Sequence, residues 1–376
     1  MEVTCRSMPW KTTRPYDTCR FHMHRRKPSG ERVSTFERTR LPGTPDPEVM
    51  TMQHQTGTLD KQTLIVRAVT DEANGIRSYE LTREDYTDLP AYAPGAHVAV
   101  HLGNGITRQY SLYDEPGVRN AYRIAVLKDP ASRGGSRFLH DEVAVGEQLQ
   151  VSGPFNNFPM AASATSALLI AGGIGITPIM SMAYRLHRDG KPFALHYCAR
   201  YEKDAAFVEF LQRAAPFKDC VHMHFDGGDP RKGLDVKALL VDVVQGRHVY
   251  CCGPGGLMRA VETAASHWPS GSVHFERFSA DKREVTKSIP FRIYLRRSGV
   301  ELEVPADKSI LDVLKQAGFN VNTVCEQGVC GACLTDVVEG VPEHRDHVLT
   351  EEEKRLNDVM AVCCSRSKTA RLVLDV

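Results

Sequence analysis

Four cysteines near the C-terminus have the spacing of a metal site. Cys325, Cys330 and Cys333 follow the pattern C-x4-C-x2-C, and Cys363 comes thirty residues after Cys333. This spacing is typical of a plant-type 2Fe–2S site, in which four thiolates hold two irons. Structural zinc sites usually have paired C-x2-C arms, which do not occur here, so we prefer the iron–sulfur interpretation. Cys364 is an alternative fourth ligand; we prefer Cys363 and expect Cys364 to pack as a small apolar side chain.

The residues between these cysteines are small. Gly328 and Gly331 allow the backbone to wrap closely around a cluster and to direct N–H groups towards its sulfurs. Ala332 keeps the loop thin, so we expect the cluster to lie near the surface, in a position suited to one-electron transfer.

Residues that suit a phosphate and an aromatic ring occur earlier in the chain. The first group lies on a predicted strand and consists of Arg108, Gln109, Tyr110 and Ser111. The arginine offers a fork of N–H groups to a phosphate, and the tyrosine and serine can contact a flavin ring. This group also fits an ordinary strand with an exposed arginine and a buried tyrosine. The second group is a turn before a predicted helix, which suits a terminal phosphate: Arg133, Gly134, Gly135 and Ser136.

A predicted strand, a glycine turn and a helix follow one another near residue 172. The turn and the helix start contain Gly172, Gly173, Gly175, Thr177 and Pro178. We predict that Thr177 is the N-cap and Pro178 the first helical residue, so that N–H groups at the helix start face a phosphate. The segment differs from the G-x-G-x-x-G dinucleotide motif, which disfavours an ordinary dehydrogenase.

Two further strand ends carry candidate ligand-binding residues. One strand ends in Cys252, Gly253 and Pro254. That edge of a parallel sheet binds ligands, although a lone cysteine there is usually a packing residue. Asp226 ends another strand, and an acidic group there favours a ribose hydroxyl over a 2′-phosphate, and therefore NADH over NADPH. Arg200 and Lys203 favour the opposite choice.

Hydrophobic periodicity divides the chain into three folded parts. Short alternating segments within residues 53–157 predict an antiparallel β-barrel, and alternating strands and helices over 158–278 predict an α/β domain with a doubly wound parallel sheet. Residues 279–288 read as a polar linker. The last part, residues 289–376, carries a two-residue hairpin signal at Ser298-Gly299 and helix caps at Ser309 and Thr350.

The first 52 residues differ from the rest of the chain. They are rich in basic residues and proline and have no sustained apolar period, so we expect a disordered extension. An upstream start codon, with the true start at Met50 or Met52, is the alternative.

Composition excludes several classes of protein. The 376 residues contain 47 Lys and Arg against 46 Asp and Glu, and a nucleic-acid-binding protein would normally have a basic excess. The longest apolar run is interrupted by glycines and is too short to span a bilayer. Cysteines with metal-site spacing favour a cytoplasmic protein over a secreted, disulfide-bonded one.

Taken as a set, these motifs resemble the ferredoxin–NADP reductase superfamily, and within it the phthalate dioxygenase reductase type. Residues 54–376 carry the motifs in the order of that type, including a strand that ends in Glu276, Arg277 and Phe278. The resemblance implies an FMN-binding barrel, then an NAD domain, then a plant-type ferredoxin with the α+β β-grasp fold.

The resemblance also implies roles for individual residues. The strand residues Arg108, Gln109, Tyr110 and Ser111 would hold FMN, and Arg133, Gly134, Gly135 and Ser136 would bind its phosphate. Residues 172–178 would face the NADH pyrophosphate, and Cys252 would lie beside the nicotinamide. Glu276 and Phe278 would close the other side of the flavin, and Cys363 matches the fourth cluster ligand.

The resulting hypothesis is an electron-transfer reductase that passes electrons from NADH through FMN and the cluster to a terminal Rieske-type oxygenase. Phthalate or a related aromatic acid is the expected substrate of that oxygenase. The alternatives are the reductase of an O- or N-demethylating monooxygenase, as in vanillate demethylases, and a redox-sensing iron–sulfur protein without turnover. We expect a monomer that contacts its oxygenase transiently and binds neither nucleic acid nor a membrane.

Overall fold

A computed structural model describes residues 61–103, 105–130, 132, 134–278 and 288–376. Within them the chain forms an antiparallel sheet, a parallel sheet and a mixed sheet in succession. This confirms the predicted fold class. The predicted N-terminal extension, Arg133 and most of the predicted linker lie outside the described residues.

The first sheet has six antiparallel strands. They are β1 (Lys61–Ala73), β2 (Ile76–Thr82), β3 (His97–His101), β4 (Thr107–Ser111), β5 (Tyr122–Leu127) and β6 (Gln148–Phe155), in the spatial order β4-β3-β6-β1-β2-β5. Helix α1 (Gly135–Glu142) lies between β5 and β6 in sequence. Alternate strand residues such as Leu64, Val66, Val98 and Val100 are fully buried together, because successive side chains of a strand point to opposite faces.

The second sheet is parallel, and helices connect several of its strands. The strands are β7 (Ser166–Gly172), β8 (Phe193–Ala199), β9 (Val221–Phe225), β10 (Arg247–Cys252) and β11 (Val273–Glu276), in the order β11-β10-β7-β8-β9. The α-helices are α2 (Ile176–Arg188), α3 (Val236–Leu240) and α4 (Gly255–Ala264). The chain winds from β7 to one side and later returns to β10 on the other. The carboxyl ends of β7 and β10 therefore flank the switch point, where open α/β sheets bind ligands.

The third sheet is mixed. Its strands are β12 (Phe291–Leu295), β13 (Val300–Val304), β14 (Leu334–Glu339), β16 (Val359–Ala361) and β18 (Arg371–Leu374), in the order β13-β12-β18-β14-β16, beside a ribbon of β15 (Pro342–Glu343) and β17 (Arg366–Ser367). Helices α5 (Ile310–Gln316) and α6 (Glu351–Leu356) complete this part. Helix α5 buries Ile310, Leu311 and Leu314 in the same core as Ile293 and Leu372.

Both predicted helix caps of this third part are confirmed, and each is a capping box. The Ser309 hydroxyl accepts from the backbone N–H of Asp312, and the Asp312 carboxylate accepts from the backbone N–H of Ser309. Thr350 and Glu353 repeat the arrangement at the start of α6. The predicted two-residue hairpin is wrong, because Leu295 pairs with Val300 and leaves a four-residue loop over 296–299.

Among the described residues, no helix has both the length and the apolar character that a bilayer crossing requires.

Replacing Ser309 with alanine should loosen the start of α5, because one backbone N–H loses its acceptor. The helix should lose about 1 kcal/mol of stability. Hydrogen exchange in a peptide spanning α5, measured by mass spectrometry, should therefore become about fivefold faster. Ser298→Ala, in the exposed hairpin loop, is the control and should leave this exchange unchanged. Equal protection of α5 in S309A and wild-type protein would contradict the prediction.

Candidate functional site

Two glycine turns meet at the switch point of the parallel sheet. A Cβ atom on Gly172 would lie 2.6 Å from Cδ of Pro254, and one on Gly175 would lie 2.3 Å from the carbonyl oxygen of Cys252. A Cβ on Gly253 would lie 2.9 Å from Cα of Gly172. These three glycines therefore let the turns after β7 and β10 pack backbone against backbone.

The start of α2 differs from the sequence prediction. A 3₁₀ turn, Gly173–Gly175, precedes the helix, which begins at Ile176 with Gly175 in the cap position. The Thr177 hydroxyl donates to the carbonyl of Ile174 at 3.1 Å, so it does not accept from the helix start. The prediction of Thr177 as N-cap and Pro178 as first helical residue is wrong: both lie inside the first turn and are buried. A proline is tolerated there because the first N–H groups of a helix lack intrahelical partners.

Cys252 and Glu276 are neighbours across β10 and β11 at the same edge of the sheet. Cys252 is fully buried, and burial raises the pKa of its thiol well above the usual value. Burial likewise raises the pKa of Glu276 to about 8. Its Oε2 atom is shielded from solvent and has no hydrogen-bond partner in the described part of the chain. Both groups are therefore neutral at pH 7 and could border an uncharged ring.

Phe278 and Asp226 lie at the margins of this edge. Phe278 follows β11 and is 44 % exposed. The Asp226 carboxylate accepts from the backbone N–H of Gly228 at 2.7 Å, which ties it to its own turn after β9. The backbone N–H of Gly227 donates to the carbonyl of Arg200 at 2.8 Å, so the loops after β8 and β9 are joined.

In the antiparallel sheet, the Arg108 side chain lies against the start of α1. A Cβ atom on Gly135 would come within 2.5 Å of Cγ and 2.9 Å of Nε of Arg108. Gly134 has φ 99°, a conformation that favours glycine, and no side chain caps the helix among the described residues. The Ser136 hydroxyl accepts from the backbone N–H of Asp129 at 3.2 Å. A guanidinium and a helix N-terminus thus converge, which fits a phosphate group.

The other residues of β4 point in two directions. Tyr110 is half-buried against the barrel core, and burial raises the pKa of its hydroxyl. Ser111 is buried opposite His97 of β3. Burial lowers the pKa of His97 to about 4, and its Nε2 atom lacks a hydrogen-bond partner among the described residues. His97 could not be predicted from the sequence, because a single histidine in an apolar strand carries no spacing signal.

The four cysteines of the C-terminal part contact one another in pairs, and Cys364 adjoins one of the pairs. The side chain of Cys325 is hydrogen-bonded to that of Cys330, and the side chain of Cys363 is hydrogen-bonded to those of Cys333 and Cys364. Two pairs of thiols are the donor set that two bridged irons require. Within the described ranges, no three His, Cys, Asp or Glu side chains converge on a single point as ligands of one metal ion would.

The loop that carries these cysteines depends on glycine. Gly328 has φ 70°, and a Cβ there would lie 2.4 Å from Sγ of Cys364. Cys364 is partly buried at the edge of the hydrophobic core of the third sheet and also contacts Cys363. The backbone N–H of Gln327 donates to Sγ of Cys325 at 3.3 Å, as expected for a loop that directs N–H groups towards sulfur.

Comparison with known proteins identifies two domains by family models. The 2Fe-2S iron-sulfur cluster binding domain matches residues 293–368, and the oxidoreductase NAD-binding domain matches residues 169–263.

Curated relatives extend the similarity over most of the chain. A vanillate O-demethylase oxidoreductase of Pseudomonas putida is 47 % identical over 315 residues, which cover 83 % of this chain and 99 % of the relative. The phthalate dioxygenase reductase of Burkholderia cepacia is 42 % identical over 305 residues, covering 81 % and 94 %.

Two solved structures are also similar to this chain over most of its length. One is a phthalate dioxygenase reductase, a modular structure for electron transfer from pyridine nucleotides to [2Fe–2S]. It matches with a TM-score of 0.67 and 41 % identity, covering 84 % of this chain and 98 % of that one. An intact type IV self-sufficient cytochrome P450 monooxygenase matches with a TM-score of 0.74 and 36 % identity, covering 84 % of this chain and 41 % of that one.

Gly175→Ala should weaken nucleotide binding, because the new methyl group would push the turn after β7 away from the Cys252 carbonyl. Overpacking of this kind typically costs about 1–3 kcal/mol, and about 1.4 kcal/mol of binding free energy corresponds to a tenfold change. We therefore expect KM for the reduced nucleotide to rise about tenfold. Steady-state kinetics with ferricyanide would measure this. The matched control is Gly256→Ala in α4, where a Cβ meets nothing within 4 Å, and its KM should not change. An unchanged KM in G175A would contradict the prediction, because it would show that nucleotide binding does not depend on close packing of the turns after β7 and β10.

Proposed function

Because this chain belongs to the phthalate dioxygenase reductase family, we propose that it is the reductase component of an oxygenase system. It passes electrons from NADH through FMN and a 2Fe–2S cluster to a terminal Rieske-type oxygenase. The observation that carries the proposal is the pairing of Cys325 with Cys330 and of Cys333 with Cys363, in a chain that also has an NAD-binding domain. The proposed domain limits are 53–157, 158–278 and 289–376.

The contact between Arg108 and Gly135 supports FMN as the flavin. When bound, FMN accepts a two-electron hydride and releases electrons singly, which the step to a cluster requires. Arg108, Gly134, Gly135 and Ser136 would hold its terminal phosphate at the start of α1, together with Arg133. Tyr110 and Ser111 would orient the ring, with Gln109 on the same strand.

The turns after β7 and β10 would receive NADH. Gly172, Gly173, Gly175, Thr177 and Pro178 form the turn and first helical residues that would face the pyrophosphate. Asp226 would accept from a ribose hydroxyl, which supports NADH over NADPH. Cys252, with Gly253 and Pro254 behind it, would lie beside the nicotinamide. Neutral Cys252 and Glu276 would exclude water there, and Phe278 would cover the flavin.

The partner and its substrate follow from the relatives. Phthalate or a related aromatic acid is the first proposal for the substrate of the partner oxygenase. A demethylating oxygenase that acts on a methoxylated aromatic acid is the second, because the vanillate relative is 47 % identical and the phthalate relative 42 %. We propose a cytoplasmic monomer that meets its oxygenase transiently, since a reductase must dissociate between successive electron deliveries.

The function is tested on purified full-length protein. We expect one FMN and one 2Fe–2S cluster per chain, reduction of cytochrome c by NADH, and a higher kcat/KM for NADH than for NADPH. Coupled turnover of phthalate or vanillate with the respective oxygenase would then identify the partner. FAD as the main extracted flavin would contradict the phosphate site, and failure to reduce cytochrome c would support the redox-sensing alternative.

Serine substitutions should separate the two half-reactions. Cys325→Ser, Cys330→Ser, Cys333→Ser or Cys363→Ser should each remove the cluster, because thiolates are its proposed protein ligands. Reduction of FMN and of ferricyanide by NADH should continue, since the proposed flavin and nucleotide sites lie on the first and second sheets, outside the part that carries the cysteines. Reduction of cytochrome c should fall at least about tenfold, as expected when the one-electron relay is lost.

Cys364→Ser is the matched control for Cys363→Ser and should retain the visible absorbance of the cluster. The reverse result, with absorbance lost in C364S and kept in C363S, would show that Cys364 and not Cys363 is the fourth cluster ligand. Unimpaired oxygenase turnover without a cluster would overturn the proposed relay.

A further inference from the structure

The cysteine loop of the C-terminal part contacts the barrel through a small buried patch. Ala99 of β3, Val324 and Cys330 form its centre and are 0 %, 6 % and 8 % exposed. Phe155 of β6, Cys325 and Ala332 pack around them. We refer to these six residues as the docking patch. It joins two parts of the chain that lie more than 150 residues apart in sequence.

A hydrogen bond lies beside the docking patch. Asn157, just after β6, donates from Nδ2 to the backbone carbonyl of Cys330 at 3.1 Å. The Cys330 carbonyl belongs to the loop that would wrap the cluster. A carbonyl deprived of water at such a contact needs a donor, and the amide of Asn157 provides one from the barrel side.

The docking patch is next to the strand that carries the proposed flavin residues. Ala99 is paired with Gln109 of β4 on one side and with Ser152 of β6 on the other. The ring of Phe155 lies 5.9 Å from that of His97, which is paired with Ser111. Neighbouring strands are about 4.8 Å apart, so the cysteine loop sits one strand away from the residues at positions 108–111.

The size of residue 99 controls this distance. Alanine presents only a methyl group towards Val324 and Cys330, so the loop can approach the backbone of β3 closely. A larger side chain would have to displace the loop, because the position is fully buried. Ala99 therefore leaves room for a close approach of the loop, and the amide of Asn157 holds one backbone carbonyl of that loop.

We propose that Asn157 and Ala99 are positioning residues that dock the cysteine loop on β3, and that electron transfer from flavin to cluster depends on this docked arrangement. The inference rests on the proposed function. In the step concerned the reduced flavin loses one electron and the oxidised cluster gains it, while all four thiolates stay bound. Neither residue takes part in hydride transfer from the nucleotide.

The test uses the Asn157→Asp holoprotein, in which a carboxylate of nearly the same size replaces the donor. Anaerobic stopped-flow mixing with NADH follows flavin and cluster absorbance separately. Flavin reduction should keep its wild-type rate, while cluster reduction should slow at least about fivefold, the equivalent of one hydrogen bond of about 1 kcal/mol. The midpoint potential of the cluster is measured in the same protein, because the new carboxylate lies beside the Cys330 carbonyl and net charge is one determinant of a cluster potential. Cluster reduction should slow by more than any change in this potential accounts for.

Gln150→Glu is the matched control, since Gln150 also lies on the barrel and its amide donates to Thr63 within that sheet at 2.7 Å. It should leave both rates unchanged. Ala99→Leu tests the same docking by size, and it should slow cluster reduction more than N157D while flavin reduction continues.

Three results would overturn the proposal. The cluster could be reduced at the wild-type rate in both N157D and A99L, or the slowing could be fully explained by a change in the midpoint potential of the cluster. The third such result is cluster reduction that is slowed as much in Q150E as in N157D. Failure of the wild-type protein to reduce its cluster with NADH is a different result, and it would contradict the proposed function itself.

Discussion

Each candidate site of this protein depends on a glycine where a Cβ atom would meet a neighbouring segment at less than 3 Å. Gly175 lies against the Cys252 carbonyl, Gly135 against the Arg108 side chain, and Gly328 against the thiol of Cys364. Each contact brings two segments from different parts of a domain closer than any other residue would permit. The glycines thereby shape the proposed nucleotide edge, the proposed phosphate site and the cysteine loop, where a ligand could lie on backbone rather than on side chains.

Burial then determines the charge of the groups around these turns. The carboxyl of Glu276 has its pKa raised to about 8, and the pKa of the Cys252 thiol is raised as well. The pKa of His97 is lowered to about 4. All three side chains are neutral at pH 7, whereas the guanidinium of Arg108 lies at the other end of β4 from Ser111. The arrangement suits ligands with a charged phosphate and an uncharged ring, which is the chemistry of both flavin and nicotinamide nucleotides.

The contact between the barrel and the cysteine loop is small. Among the described residues it includes the apolar docking patch and the hydrogen bond from Asn157 to Cys330. A small contact is compatible with a reductase that must offer its cluster to a separate oxygenase after receiving each electron. It also means that single substitutions can alter electron transfer within the chain without disturbing the hydrophobic cores of the three sheets.

Sequence alone determined the order of the three sheets, the candidate cysteine ligands with Cys363 and Cys364 as alternatives, and the helix caps at Ser309 and Thr350, because these depend on local spacing and periodicity. Ser309 and Asp312 lie three residues apart at the start of α5, and Thr350 and Glu353 do so at the start of α6, so these contacts follow from separation in sequence. Tertiary structure decided that Thr177 lies inside α2, that Gly175 packs against Cys252, and that Asn157 contacts Cys330 from 173 residues away. Contacts of this kind depend on how separate elements pack, and no residue spacing within one element encodes them.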